Sequence, residues 1–130
     1  QKSGVGFFRY KEGSSRGEAD PALAEVISPY LRANAKPTAQ EISERLFLPM
    51  VLEATRVLEA KIVHDPRDVD LGLIFGIGFP PFKGGLLFWA DTIGAAKLLE
   101  MTKRYEVLGS RFAPTPMLIE MAESKRKFYS

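Results

Sequence analysis

The 130-residue chain contains no cysteine, one histidine and one tryptophan. Without cysteine there is no disulfide and no thiol nucleophile, and a reducing compartment is permitted without being required. A lone His64 excludes a multi-histidine metal site. The longest apolar runs, residues 46–52 and 71–82, are far too short to span a bilayer and are broken by Pro49 or by glycines. The opening QKSGVGFFRYKEG has no apolar core of a signal peptide. Its first residue is not methionine, so the expectation is a fragment or a processed product.

What is present suits one compact domain with a real core: 45% hydrophobic and 26% charged residues. The formal net charge of +2 comes largely from Lys125, Arg126 and Lys127, which read as a solvated terminus. No nucleic-acid or membrane role is expected from them.

The segment GVGFFRY reads as an extended piece, and KEGSSRGEAD (residues 11–20) as a loop or linker. A boundary is expected near Asp20. Asp20 and Pro21 then open a helix, PALAEVISPYLR, with Leu23, Val26, Ile27, Tyr30 and Leu31 on one face and Pro29 ending or kinking it one turn before Asn34. Thr38 and Glu41 form a capping box for a helix over residues 39 to about 63. Ile42, Leu46, Met50, Ala54, Val57, Leu58 and Ile62 are its expected buried face, with Glu41–Arg45 and Glu53–Arg56 as ion pairs and a kink at Pro49.

After a loop HDPRDVD, LGLIFGIG fits a buried helix or a strand; a helix is favoured because no good pairing strand exists elsewhere. LLFWAD reads as a short helix punctuated by Gly94. Residues 95–109 follow, with Ala95, Leu98, Leu99, Thr102 and Tyr105 on one face and Gly109 as terminator. Thr115 and Pro116 start a terminal helix. The fold class is all-α, with about six or seven helices and a short extended N-terminal segment.

The chemical signals are sparse. His64 beside Asp65 reads as a surface histidine before a turn, and no G-x-S-x-G elbow provides a nucleophile. Asp68 and Asp70 are explained by capping and ion pairing. The glycine-rich FGIGFPPFKGG could be a phosphate cradle. A dinucleotide fingerprint needs a glycine where Pro81 stands, and neither Pro80 nor Pro81 has an amide hydrogen. A Walker loop needs a hydroxyl residue after Lys83, where Gly84 and Gly85 stand. The stretch reads instead as a rigid corner: Gly76 and Gly78 end one helix, the prolines fix the turn, and Gly84 and Gly85 let the next helix approach.

DVDLGLIFGIGFPPFKGGLLFWADTIG, with the kinked helix ISERLFLPMVLEATRVLEA and the terminal KFYS, resembles the second helical C-terminal repeat of the multifunctional fatty-acid β-oxidation enzymes. That repeat belongs to the L-3-hydroxyacyl-CoA dehydrogenase C-terminal domain family. KSGVGFFRY is similar to the ending of the first such repeat. The resemblance implies a 6-phosphogluconate dehydrogenase C-terminal-like helical domain over residues 20–130, preceded by residues 1–19 as the tail of the first repeat and a linker.

It further implies an oxidoreductase parent, a dehydrogenase with an enoyl-CoA hydratase activity, using NAD and acyl-CoA in domains outside this chain. The family's catalytic copy begins its kinked helix with Asn-Arg, and the asparagine positions substrate; here the pair is Glu44-Arg45. The family's His-Glu pair lies in the NAD-binding domain, so His64 is not its counterpart. The motif positions carried over are structural: Glu44, Arg45, Pro49, Asp68, Asp70, Gly76, Gly78, Pro80, Pro81, Gly84, Gly85, Asp91 and Gly94. No catalytic, cofactor or metal residue is expected.

The implied partners are the NAD-binding domain and first helical repeat of the parent chain, with a thiolase subunit in the parent complex. A bacterial cytoplasm is the expected compartment, with a mitochondrial one left open. The alternative is an autonomous helical interaction module using a face at Leu86, Phe88 and Trp89. A third reading is an acyl-CoA sensor in which Lys83 or Lys97 meets the CoA phosphates.

Overall fold

The computed structural model describes residues 6–31 and 36–129. Residues 4 and 5 of the opening segment, Asn34 and the terminal Ser130 lie outside the described residues. Two compact units divide between Lys36 and Pro37, later than the boundary expected near Asp20.

In the first unit, β1 (Phe8–Tyr10) and β2 (Gly17–Ala19) pair antiparallel with Phe8 opposite Ala19 and Tyr10 opposite Gly17. The polar stretch read as a loop thus contributes a strand. Lys11 reaches across to Glu18 at 2.8 Å. Helix α1 (Pro21–Ile27) starts where Asp20 accepts a hydrogen bond from the Ala22 amide at 3.0 Å, with Pro21 at its first position. The same Asp20 carboxylate pairs with Arg9 at 2.9 Å, which links α1 to the hairpin. None of the α1 side chains is buried within this unit's surroundings, so the apolar face expected there gathers no core. A 3₁₀ turn, Ser28–Tyr30, replaces the last helical turn because Pro29 supplies no amide.

The second unit holds five helices: α2 (Ala39–Glu59), α3 (Pro66–Ile77), α4 (Leu86–Ile93), α5 (Ala95–Tyr105) and α6 (Pro116–Ser124). Both halves of the α2 capping box are formed, Glu41 N–H to Thr38 Oγ1 at 3.1 Å and Thr38 N–H to the Glu41 carboxylate at 2.7 Å. That bond occupies Glu41, so the expected Glu41–Arg45 ion pair is not formed; Glu53–Arg56 is, at 3.0 Å. Helix α2 ends at Glu59, earlier than expected, because Lys61 adopts a left-handed φ of 54°.

The buried stripe of α2 also differs from the expected one. It runs through Glu44, Leu48, Val51, Leu52, Ala54 and Thr55, while Ile42, Leu46 and Ile62 are exposed. Against it pack α4, α5 and α6, with α3 lying on α4. The core joins Leu48, Val51 and Leu52 to Leu86, Leu87, Leu98, Phe112 and Leu118, and each fully buried leucine contributes roughly 2 kcal/mol of transfer free energy.

Helix α3 includes PRDVD, a stretch expected to be loop. Asp65 accepts the Arg67 amide at 2.8 Å and Pro66 occupies the first turn. Helix α5 stops at Tyr105, and Gly109 instead closes the 3₁₀ turn Glu106–Leu108. The irregular stretch before α6 is tied to α2: Arg56 donates to the Ala113 carbonyl at 3.3 Å, and Thr115 donates to Thr55 at 2.8 Å. Among the described residues no buried side-chain polar atom lacks a partner.

Candidate functional site

The glycine-proline corner and α4 come together around one carboxylate. Gly78 closes α3 in the left-handed conformation, and the buried Phe79 donates its amide to the Leu73 carbonyl at 3.1 Å. Gly76 lies inside α3 rather than at its end. Pro80 and Pro81 lead into a 3₁₀ turn, Pro81–Lys83, whose bonds consume the Lys83 and Gly84 amides.

Asp70, buried on α3, then accepts from the Leu87 amide at 2.7 Å and the Phe88 amide at 3.0 Å. A carboxylate at the start of α4 both satisfies open amides and opposes the helix dipole. Tyr129 donates its hydroxyl to the same carboxylate at 2.6 Å. Burial first, and then Asp70, raise the Tyr129 hydroxyl far above its ordinary range.

This approach requires glycine. A Cβ at Gly85 would stand 2.3 Å from the Asp70 carboxylate, and its φ is 123°; one at Gly84 would stand 2.5 Å from the Phe88 ring. The corner's amides therefore serve the fold, and its geometry does not fit a dinucleotide pyrophosphate, which needs amides aimed outward. Asp91 on α4 performs a parallel task by accepting the Phe128 and Tyr129 amides, each at 2.9 Å. Gly94, at φ 89°, joins α4 to α5.

Glu44 lies in a separate cluster. Its carboxylate accepts from Tyr105 Oη at 2.6 Å, Gln40 Nε2 at 2.8 Å and Arg104 Nη1 at 3.1 Å. The Tyr105 hydrogen bond, above all, holds Glu44 below its ordinary value of 4.5, while burial raises Tyr105. A carboxylate committed to three donors fastens α2 to α5 and cannot also serve as a free base. Arg45 beside it is exposed, Pro49 sits half-buried within α2, and Asp68 lies exposed in the first turn of α3.

His64 is exposed outside both clusters. The proposed face at Leu86, Phe88 and Trp89 is corrected. Leu86 is fully buried and Trp89 is half-buried, its ring tilted 5.3 Å from Phe47, while Phe88 meets Tyr129 at 5.7 Å and remains 47% exposed. Lys97 pairs with Glu100 at 2.8 Å. Tyr129, Tyr105 and Arg104 were missed as site residues; only the terminal KFYS, noted for its resemblance, pointed to one of them.

A family model described as "3-hydroxyacyl-CoA dehydrogenase, C-terminal domain" matches residues 42–128. The chain is 45% identical over 130 residues to the fatty acid oxidation complex subunit alpha of Shewanella loihica, covering 99% of this chain and 18% of that protein. The protein of the same name from Pseudomonas aeruginosa is 39% identical over 132 residues, with the same coverage. The crystal structure of M. tuberculosis FadB2 aligns with a TM-score of 0.57 at 27% identity, over 66% of this chain and 32% of that one. The chain thus spans 18% of the length of these curated relatives.

Asp70→Ala should destabilise the chain by about 2–3 kcal/mol in urea unfolding, since two α4 amides lose their acceptor. Tyr129→Phe should cost about 1 kcal/mol. Gly85→Ala should cost more than Tyr129→Phe, through both clash and backbone strain. An Asp70→Ala chain as stable as the parent would contradict this account.

Because Glu44 is lowered in the folded chain, its contribution is present above its ordinary value of 4.5 and is lost as pH falls through and below it. Glu44→Gln should therefore shrink the stability difference between about pH 7 and about pH 3. An unchanged acid slope would show that other carboxylates carry it.

Proposed function

Since the chain belongs to the 3-hydroxyacyl-CoA dehydrogenase C-terminal domain family, we propose that it is a non-catalytic helical repeat of a multifunctional fatty-acid β-oxidation enzyme. The parent would oxidise L-3-hydroxyacyl-CoA to 3-ketoacyl-CoA with NAD in its dinucleotide-binding part. In this reading residues 1–19 end a preceding repeat and residues 20–130 form the second. This repeat packs on the first helical repeat and supports the NAD-binding domain. A thiolase subunit completes the assembly. The bacterial sources of the relatives support a bacterial cytoplasm as its compartment.

The observation that carries this reading is the uncovered apolar surface of α3 and the corner. Leu71 is 50% exposed, Phe75 83%, Ile77 68% and Phe82 85%. A cavity of about 490 Å³ opens between α2 and α3, walled by Met50, Val57, Val69, Leu73 and Ile77, with Glu53 and Asp68 also lining it. An apolar expanse of this kind suits a permanent internal interface. The engaged state of Glu44 supports the same reading, because the position where the catalytic copy has its substrate-positioning asparagine is here spent on α5.

The purified chain should show no reduction of acetoacetyl-CoA by NADH. Added in trans to a parent enzyme lacking this region, it should restore activity or thermal stability. The double variant Leu71→Glu, Phe75→Glu should fail to do so. Turnover by the chain alone, or full activity of the parent without it, would overturn the proposal.

A further inference from the structure

The first three turns of α2 carry a second apolar stripe that the bundle does not use. Ile42 is 47% exposed and Leu46 61% exposed, and Pro49 continues their line. With Arg45, and with Arg111 from the 3₁₀ turn Ser110–Phe112, they line a groove of about 400 Å³. Among the described residues neither arginine makes an ion pair with a carboxylate. Glu41, one turn before Arg45, is held by the Thr38 amide. Arg111 lies 5.3 Å from the Phe112 ring centroid. Two guanidiniums without a carboxylate in contact, Arg45 sensing Glu41 only at longer range, therefore border an exposed apolar strip.

The combination restricts the occupant. A small apolar ligand binds where most of its surface is enclosed, which a stripe this exposed does not provide. A simple anion has no use for three apolar side chains. Positions 42, 46 and 49 share one face of α2 and extend about 10 Å, the length of two turns of a helix laid alongside. Guanidiniums at the border select carboxylates and repel a basic segment.

We propose that this groove docks an acidic amphipathic helix of a protein partner, its apolar ridge on Ile42, Leu46 and Pro49 and its flanking carboxylates on Arg45 and Arg111. This surface is separate from the α3 face, whose charged lining residues are the carboxylates Glu53 and Asp68 rather than arginines. The proposal does not depend on the chain being part of a β-oxidation enzyme.

The test uses the 130-residue chain and two fluorescein-labelled helical peptides of about 18 residues, each with a leucine ridge flanked by glutamates or by lysines. In fluorescence anisotropy the glutamate peptide should bind and the lysine peptide should not. Salt raised to about 0.5 M should weaken the complex. Arg45→Glu with Arg111→Glu should lower glutamate-peptide affinity at least about tenfold and allow the lysine peptide to bind. Circular dichroism and Tm should show that variant folded, and Leu71→Glu with Phe75→Glu should leave binding intact.

Equal affinity for both peptides, or indifference to the arginine changes, would overturn the proposal. So would loss of binding in the α3 variant, displacement of the peptide by an equimolar amount of laurate, or an arginine-dependent dimer in sedimentation.

Discussion

Asp70 holds the amides at the start of α4 and the hydroxyl of Tyr129 on one buried carboxylate. Several otherwise unrelated features follow from that requirement. Gly85 must lack a side chain, because a Cβ would meet the carboxylate. The chain between α3 and α4 must turn sharply, which Gly78 and the two prolines accomplish. Tyr129 must be brought back from the end of the chain, and Asp91 does this by taking the Phe128 and Tyr129 amides. Helix α4, only eight residues long, has little intrinsic stability. Its order comes from this tertiary cap and from burial of Leu86, Leu87 and Ala90.

The Glu44 cluster shows how a buried carboxylate can be built into the scaffold. An anion buried between two helices is costly unless its oxygens are filled. Tyr105, Arg104 and Gln40 fill them, two donors coming from α5 and one from α2 itself. The result is a cross-helix fastener between α2 and α5. Arg45, next in sequence, faces solvent beside Ile42 and Leu46.

Local signals in the sequence were legible because their physics is local. Thr38 accepts from the Glu41 amide, Asp20 from the Ala22 amide and Thr115 from the Leu118 amide, each within three residues, and each caps the helix expected of it. The helical nature of LGLIFGIG was also readable. The buried stripe of α2 was not, since the helix carries apolar residues on two faces and the inner one is interrupted by Glu44 and Thr55. Those polar residues are buried only because α5 and Thr115 supply partners, and such partners leave no trace in the spacing of α2. Capping accounts for Asp70, but the helix it caps begins sixteen residues later. Only tertiary structure connects the two.

The same two-faced character of α2 explains why its surplus apolar residues matter. Sequence periodicity assigned Ile42 and Leu46 to the core, yet the core is complete without them, with Leu48, Val51 and Leu52 fully buried. Solvent-exposed apolar side chains are ordinary when scattered. These two share one helix face, continue into Pro49 and are bordered by arginines from two different elements. The α3 face, by contrast, has Leu71, Phe75 and Ile77 beside a cavity with almost entirely apolar walls. A largely apolar face suits an interface that stays closed, whereas a border of arginines gives recognition that salt and sequence can tune. The scaffold fastened by Asp70 and Glu44 thus presents two surfaces of different chemistry, and neither is needed to hold the helices together.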